Sequence, residues 1–385
     1  MTRPPYDLVL RGGTVLDPAN GLHARRDVAV ADGKVAAVEP EIGAERAMQS
    51  LDVSGLLVTP GLVDMHAHVY VGVCPLVVPI DEVAPASGVT TVVSTGDAGA
   101  HTFAGFRRLI VSQVRTRVYA FVHISTIGLA GWEVGEMVNL DYADPDKAAR
   151  VVRENRDICL GIKVRQGSQM VGDHGLEPLR RAISAAEMSD SPVMVHIGAA
   201  PTPLADILAM LRGGDIVTHC FTGTGRGILD GEGRVIDEVR AARARGVLFD
   251  VGHGMGSFDF TVGEAALEQG FPPDFISSDL HSGCVNGPTF DLPTTVSKFL
   301  LMGMPLDEAL RLATSGPAAI IDREPMLGTL AVGAPGDIAV FSHDETQTVF
   351  TDAMGQTRTG PRGLVPRHTV TRGRLWGRPY PHPYL

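Results

Sequence analysis

Eight short apolar runs, each of strand length, alternate through the middle of this chain with polar segments that suit helices. This alternation is typical of a parallel sheet whose strands are joined by crossover helices. Eight strand-helix units favour a closed (β/α)8 barrel over an open, doubly wound sheet, and no glycine-rich phosphate-binding fingerprint supports the open sheet. The eight runs are residues 62–66, 89–94, 118–125, 159–164, 193–197, 216–219, 247–251 and 275–278.

Both ends of the chain have a different pattern, in which short strand-like runs are separated by turns. The Asp32-Gly33 pair predicts a hairpin near the N-terminus, and runs of the same character return towards the C-terminus. We therefore predict an α/β fold: a TIM barrel over residues 58–324 and a small β-sandwich module composed of residues 1–57 and 325–385. Helices are predicted between barrel strands at residues 175–188, 203–211, 233–245 and 306–313.

The composition narrows the classes of partner. Of the 385 residues, 44% are hydrophobic and 20% are charged, which suits a well-buried core. A formal net charge of −11 without a long basic run makes nucleic acid and anionic membranes poor partners. The four cysteines are too few and too scattered for a disulfide framework, and no signal-peptide core or membrane span is visible. We expect a cytoplasmic homo-oligomer that acts on a small-molecule substrate.

Two histidines end the first barrel run, in the sequence Val63-Asp64-Met65-His66-Ala67-His68. Residues two apart on a strand point to the same face, so both imidazoles could bind one cation while Met65 and Ala67 face the other way. A pair of histidines that merely sits on a strand has the same pattern. The pair alone therefore leaves metal binding open, and further ligands must come from other strands.

Other barrel runs also end in residues that can bind a metal, and active sites of such barrels lie at the carboxyl ends of the strands. Each of these residues alone is as readily a hydrogen-bonded core residue. Together, four imidazoles, an amine and a carboxylate buried at one barrel mouth would be costly without a cation to organise them. Such ligands favour zinc, with manganese, iron or cobalt as alternatives. The additional strand-end residues are Lys163, His196, His219 and Asp279.

Lys163 does not suit a metal site as an ammonium group, because the cations would repel it. Its place inside an apolar strand should lower its pKa and leave a neutral amine. Such an amine can add carbon dioxide, and the resulting carbamate is an anionic ligand able to bridge two cations. This reasoning favours N6-carboxylysine at Lys163.

In strand order, these residues resemble the ligand set of the amidohydrolase superfamily, and the likeness includes the Thr59-Pro60-Gly61 lead-in and the flanking β module. Longer motifs are similar, more narrowly, to the amidohydrolase/deacetylase branch, which includes acetyl-mandelate deacetylase and is related to dihydroorotase-like and D-aminoacylase-like enzymes. The motifs are Gly161-Ile162-Lys163-Val164-Arg165, Thr218-His219-Cys220-Phe221-Thr222-Gly223, Asp250-Val251-Gly252-His253-Gly254 and Ser278-Asp279-Leu280-His281.

The resemblance implies a metal-dependent hydrolase with two divalent ions, zinc foremost. One ion would be held by His66, His68 and Asp279. The other would be held by His196 and His219, and carboxylated Lys163 and a hydroxide would bridge the two. Bound metal lowers the pKa of water and polarises a carbonyl, so that no serine or cysteine nucleophile is required. Asp279 would act as general base and then as general acid.

Three further residues are candidates for contact with the substrate. Arg165 lies two residues after Lys163, on the same face if the strand continues, and could bind a substrate carboxylate bidentately. His253 and His281 follow the seventh and eighth runs and could line the pocket, although a histidine there can equally support a ligand from behind. His123 and Asp97 have weaker grounds, and the predicted ligand set leaves them out.

These features predict hydrolysis of an acyl ester or amide bond, as in a deacetylase, on a small carboxylate-bearing compound. A cyclic-amide hydrolase of the dihydroorotase or hydantoinase kind and an N-acyl-D-amino-acid deacylase stay open as alternatives. Val69-Tyr70-Val71 stands where dihydroorotases have an arginine, and Ile197-Gly198-Ala199 lacks the acidic residue of the adenosine-deaminase-like branch. A non-catalytic relative is disfavoured, because all six ligand positions are intact.

Overall fold

The computed structural model describes residues 3–225, 227–321 and 327–376. Within these residues, strands and helices alternate through the middle of the chain, and strands dominate both ends. The strands are β1 (Tyr6–Arg11), β2 (Thr14–Asp17), β3 (Leu22–Arg25), β4 (Asp27–Ala31), β5 (Lys34–Glu39), β6 (Ala47–Asp52), β7 (Leu57–Pro60), β8 (Leu62–Ala67), β9 (Val89–Gly99), β10 (Arg117–His123), β11 (Cys159–Arg165), β12 (Val193–His196), β13 (Ile216–Thr218), β14 (Leu248–Asp250), β15 (Ile338–Thr351), β16 (Thr357–Thr371) and β17 (Arg374–Leu375). The α-helices are α1 (Ile80–Val83), α2 (Phe103–Phe106), α3 (Pro145–Glu154), α4 (Ser168–Val171), α5 (Glu177–Ser189), α6 (Leu204–Met210), α7 (Asp237–Ala244), α8 (Phe260–Glu268), α9 (Leu292–Leu301), α10 (Leu306–Arg311) and α11 (Ser315–Ile321).

Seven strands form one parallel sheet in the order β14-β13-β12-β11-β10-β9-β8, so that each strand lies beside its neighbour in sequence. These strands overlap the first seven predicted runs. The eighth predicted run, residues 275–278, differs because it makes only single bridges. Phe275 pairs with Asp250 at the end of β14, and Leu280 pairs with Ala67 at the end of β8. This segment therefore closes the barrel without a continuous ladder.

The barrel strands are enclosed on both faces. Every residue of β8, β9 and β10 is buried, and apolar side chains of strands and helices form the main hydrophobic core. Such burial is expected for parallel strands that are covered by helices. The polar side chains at the ends of these strands are consequently withdrawn from water, and each needs a partner inside the protein.

The two ends of the chain meet in one sheet. Strands β15 to β17 pair with β7, β2 and β3 in a six-stranded sheet, and β5-β4-β1-β6 form a second sheet. One hydrophobic cluster contains Leu10 and Val28 of the smaller sheet together with Val58 and Ile338 of the larger one. The sandwich form of this module and its bounds stay predictions, and the predicted boundary at residues 324 and 325 lies outside the described residues.

Two local predictions have different outcomes. The predicted hairpin is confirmed: β4 and β5 pair antiparallel, and Asp32 and Gly33 have φ angles of 49° and 76°, as a type I′ turn requires. The helix predicted from residue 233 begins only at Asp237. The preceding backbone is held in a turn, because the Asp230 carboxylate accepts hydrogen bonds from the backbone N–H groups of Glu232 and Arg234.

The C-terminal hairpin of β15 and β16 reaches from the mixed sheet to the barrel. Beyond β15, the backbone N–H of Ala353 donates to the carbonyl of Phe258 at 3.0 Å. The carboxylate of Asp352 accepts from the N–H of Phe260 at 2.9 Å. The hairpin tip is thus attached to the loop that follows β14.

In the described part of the chain, no helix combines the length and apolar character needed to cross a membrane.

Candidate metal centre

The six predicted ligands lie around one pocket at the carboxyl ends of the barrel strands. His66 lies in β8 and His68 just beyond it, Lys163 lies in β11, His196 ends β12, and His219 follows β13. Asp279 lies in the segment that closes the barrel. The six side chains line this pocket together with Arg165 and His281. The barrel topology therefore brings together side chains from five separate parts of the sequence.

The distances between these side chains are short enough for shared ligands. Oδ1 of Asp279 lies 2.9 Å from Nε2 of His68 and 3.3 Å from Nε2 of His66. Ligand atoms of His66, His219 and Asp279 all lie within 4.8 Å of one another. Nζ of Lys163 is 3.4 Å from Nε2 of His66. The ring of His196 stands 4.4 Å from that of His219, edge to face.

Three of the histidines are held by their Nδ1 atoms, which leaves Nε2 for the pocket. Nδ1 of His66 lies 2.9 Å from the Thr218 hydroxyl and 3.3 Å from the Asp250 carboxylate. Nδ1 of His219 lies 2.7 Å from the carbonyl oxygen of Gly252. Nδ1 of His68 lies 2.5 Å from the Asp97 carboxylate. Histidines that bind metals are typically oriented in this way, by an acceptor on the opposite ring nitrogen.

Asp97, which the sequence analysis weighed and left out of the ligand set, and Asp250, to which it gave no role, both support candidate ligands. The second oxygen of Asp97 accepts hydrogen bonds from the backbone N–H groups of Val69 and Tyr70 at 2.6 and 3.1 Å. Asp250 also accepts from the hydroxyl of Thr218 at 2.6 Å. Both carboxylates lie at the ends of barrel strands, which was the available signal. Their pairing with particular histidines depends on the packing of neighbouring strands.

Asp64, the first residue of the Asp-x-His-x-His motif, joins the first barrel strand to the segment that closes the barrel. Its Oδ1 accepts from the backbone N–H of Ser278 at 3.0 Å and from that of His66 at 3.3 Å. The Ser278 hydroxyl donates to the other oxygen. Burial raises the pKa of Asp64 to about 7. Asp64 therefore supports the site from behind, where it aligns the strand of His66 with the segment that carries Asp279.

The charges around Asp279 indicate where a cation fits. In the described residues its buried Oδ1 has no partner with good hydrogen-bond geometry, and its nearest neighbours are the Nε2 atoms of His68 and His66. Burial lowers the pKa of His68, but Asp97 and Asp279 outweigh burial and raise it to about 9. This point therefore attracts positive charge. A divalent ion would satisfy both the carboxylate oxygen and the imidazole nitrogens, so the donor set fits a metal site.

Lys163 is compatible with such a site only when it is uncharged. Its side chain is 1% exposed, and burial lowers its pKa to about 7. Burial also lowers the pKa of His219 to about 4, which keeps that imidazole neutral and able to bind a metal. A neutral amine at Lys163 is the form that can react with carbon dioxide. The geometry therefore permits the predicted carbamate.

Arg165 lines the pocket and has an ion partner that the sequence reasoning did not anticipate. Its Nη1 lies 2.5 Å from Oε1 of Glu136, whose side chain is fully buried. The other oxygen of Glu136 has no hydrogen-bond partner within the described residues. Burial raises the pKa of Glu136, and Arg165 opposes that rise. One edge of the guanidinium group is therefore held by the protein.

The two other predicted substrate contacts have different positions. His281 lines the pocket, and its Nδ1 accepts a hydrogen bond from the N–H of Gly283. His253 is fully buried, and its Nε2 lies 2.7 Å from Nζ of Lys298, beneath the pocket rather than in its lining. The described lining also includes apolar side chains, namely those of Leu76, Leu129, Trp132 and Met255.

Comparison with known proteins identifies the family of this chain. The amidohydrolase family matches residues 57–365, which include the whole barrel. A deacetylase from Agrobacterium fabrum is 35% identical over 341 residues, which cover 88% of this chain and 83% of the relative.

Solved structures extend the likeness to the whole fold. One described as an adenine deaminase has a TM-score of 0.89 at 32% identity and covers 96% of this chain and 99% of its own. Another, described as a dihydroorotase, has a TM-score of 0.88 at 33% identity and covers 96% and 97%. The family match spans most of the chain and includes all six side chains around the pocket. The chain therefore belongs to the amidohydrolase family and is a metal-dependent hydrolase.

Proposed function

We propose that this protein hydrolyses an acyl ester or amide bond of a small carboxylate-bearing compound, in the manner of a deacetylase. The observation that carries the proposal is the convergence of three imidazole Nε2 atoms and the Asp279 carboxylate in a pocket that Arg165 also lines. The deacetylase name of the Agrobacterium fabrum relative supports the same reaction class. The substrate is expected to be a small molecule, since the candidate ligands and Arg165 line a single pocket.

The proposed centre holds two divalent ions, with zinc as the first choice. His66, His68 and Asp279 would hold one ion, and His196 and His219 the other. Lys163, carried as N6-carboxylysine, would bridge them. The short distances from Asp279 Oδ1 to both Nε2 atoms support the first group, and the contact of the His196 and His219 rings supports the second. The lowered pKa of Lys163 supports the carbamate.

In the proposed reaction the protein residues bind, orient and move protons. When bound, the metal ions would polarise the scissile carbonyl and lower the pKa of water. Asp279 would act as the general base that takes up a proton and as the general acid that delivers it to the leaving group. Burial raises the pKa of Asp279, but His66 and His68 outweigh burial and hold it well below its ordinary value, so the carboxylate begins as a base. Asp97, Asp250 and Gly252 keep the imidazoles in place.

Arg165 is the proposed anchor for the substrate carboxylate. Glu136 occupies one edge of its guanidinium group, and planar guanidinium groups bind carboxylates through paired hydrogen bonds. The apolar side chains of Leu129 and Trp132 line the same pocket and would contact the remainder of the substrate. His281 lines the pocket as well and is a second proposed contact.

A second candidate is hydrolysis of a cyclic amide, and the likeness to a structure described as a dihydroorotase favours it. The arginine that follows the paired histidines in dihydroorotases is absent from Val69-Tyr70-Val71. A deacylase for N-acyl-D-amino acids would use the same centre and the same arginine. These reactions differ in substrate rather than in the residues that hold the metals.

Metal analysis and a substrate screen test the proposal together. Protein reconstituted with zinc and bicarbonate should contain about two metal ions per chain, and exhaustive chelation should abolish activity. N-acyl amino acids and O-acyl hydroxy acids of both hands form the main screen, with dihydroorotate, hydantoin and adenine beside them. Fewer than one metal per chain would contradict the centre. Much faster turnover of a cyclic amide or of adenine would contradict the deacetylase assignment.

The role of Arg165 needs matched substrates. In an Arg165→Met variant, KM for the carboxylate substrate should rise on the order of 100-fold, since a charge-assisted bidentate contact is lost. KM for the methyl ester of the same compound should change little. Equal loss for both substrates would show that Arg165 does not bind the carboxylate.

A further inference from the structure

Lys298 in α9 is a buried lysine whose ammonium group is fully used. Its side chain has no exposed surface. Nζ lies 2.7 Å from Nε2 of His253, 2.8 Å from the carbonyl of Pro288 and 2.7 Å from the carbonyl of Thr351. An ammonium group has three hydrogens to donate, and each has an acceptor here. These contacts join α9 and the end of β15 to His253, in the loop that follows β14.

The bond from Lys298 determines which nitrogen of His253 has the hydrogen. When Lys298 is protonated it can only donate, so in that state Nε2 accepts and Nδ1 bears the N–H. Nδ1 lies 2.9 Å from the carbonyl of Gly254, and the hydroxyl of Thr289 donates to the same carbonyl at 2.8 Å. The ring also stacks on Phe258, at a centroid distance of 4.7 Å. His253 is therefore held on several sides.

Residues 252–254, which we call the strap, contact two candidate ligands. The carbonyl of Gly252 accepts from Nδ1 of His219 at 2.7 Å. The backbone N–H of Gly254 donates to the carbonyl of Ser278 at 2.9 Å, next to Asp279. A Cβ atom at Gly254 would come within 2.3 Å of Oδ2 of Asp279, so only glycine permits this approach. Both glycines have positive φ, 48° and 51°.

We infer that Lys298 and His253 are positioning residues for the metal centre: they hold the strap, and the strap holds His219 and Asp279. This inference rests on the proposed function, because it needs those two residues to bind metal. Lys298 does not touch the pocket and acts only through His253. The hairpin tip takes part through the carbonyl of Thr351, so the C-terminal hairpin helps to shape the site.

The cost of burying Lys298 favours a positioning role for this side chain over simple core packing. Burial lowers the pKa of Lys298 to about 7, while Asp352 and Asp291 oppose that shift. An apolar side chain of similar volume would avoid the desolvation of an ammonium group. What an apolar residue could not do is donate to three acceptors at once. The buried lysine therefore orients His253 through hydrogen bonds that an apolar side chain could not make.

The test compares metal affinity in four variants of the full chain. Lys298→Met and His253→Leu should each weaken zinc binding by about 10- to 100-fold in competition with a chromogenic chelator. His253→Gln should stay close to wild type, because its amide can accept from Lys298 and donate to Gly254. The control is Ser297→Ala, since Ser297 accepts from the N–H of Leu364 in the same hairpin. That variant should lower the melting temperature and leave zinc affinity unchanged.

The outcomes separate this inference from the proposed function. Lys298→Met with unchanged zinc affinity, and a melting temperature lowered as in Ser297→Ala, would overturn the inference and leave the metal centre intact. If the wild-type protein binds no zinc, the proposed function fails first. Should Lys298→Met not fold, the pair of His253 variants decides: equal zinc affinity of His253→Leu and His253→Gln would overturn the inference as well.

Discussion

The carboxylate of Asp97 holds His68 by its Nδ1 atom at 2.5 Å, and its other oxygen accepts from the backbone that follows that histidine. Asp97 thus fixes both the ring and the main chain of a proposed ligand. Asp97→Ala should weaken zinc binding by about 10- to 100-fold, as the loss of such supporting carboxylates usually does. Asp206→Ala, at an exposed position in α6, is the control and should bind as wild type. Equal affinities in the two variants would contradict this role.

Lys163 should be needed for the second metal ion. Removal of the amine in Lys163→Met removes the proposed bridge, so the metal content should fall from about two to about one and activity on the order of 100-fold. Metal-stripped wild-type protein should recover fully only when zinc is supplied with bicarbonate. Lys147→Met changes an exposed lysine and serves as the control. Full activity of Lys163→Met would exclude the carbamate.

Glu136 should tune substrate binding through Arg165. Glu136→Gln keeps the side-chain volume but leaves the buried edge of the guanidinium group without a counter-charge. We expect KM for a carboxylate substrate to rise by about 10-fold while kcat changes little, which is the pattern of lost uniform binding. Metal content, measured on the same samples, should stay at the wild-type value. A fall in kcat with unchanged KM would place Glu136 in the chemistry instead.

Arg117 and Asp337 form a buried ion pair between the barrel and the terminal β strands. Nη1 of Arg117 lies 2.5 Å from Oδ2 of Asp337, and the two side chains are 7% and 8% exposed. Asp337→Ala removes this partner from a buried arginine and should lower the free energy of unfolding by about 1 to 3 kcal/mol in urea. The double variant Arg117→Met/Asp337→Leu should lose less than Asp337→Ala. A larger loss in the double variant would contradict this account.

Much of the fold and the outline of the site could be predicted from local patterns. Apolar runs of strand length are visible in sequence because a covered parallel strand is buried on both faces, and seven of the eight predicted runs are barrel strands. The candidate ligands could be predicted because strand ends meet at one mouth of a barrel. The eighth run, residues 275–278, is the exception: it forms no continuous ladder, and the barrel closes through single bridges from Phe275 to Asp250 and from Leu280 to Ala67.

The sequence by itself was enough to predict the barrel, a metal-dependent hydrolase and the side chains that meet at the pocket. Only the tertiary structure decided the partners of those side chains. Asp97 pairs with His68, Asp250 with His66, and Glu136 with Arg165. These pairs form because a buried polar group bonds to the groups that neighbouring strands and loops bring within hydrogen-bond distance. His253 illustrates the difference: its place after a strand indicated the pocket, and contacts from Lys298 and Phe258 hold it beneath. Periodicity encodes which face of a strand a residue occupies, but not which residues of other strands and loops lie opposite it.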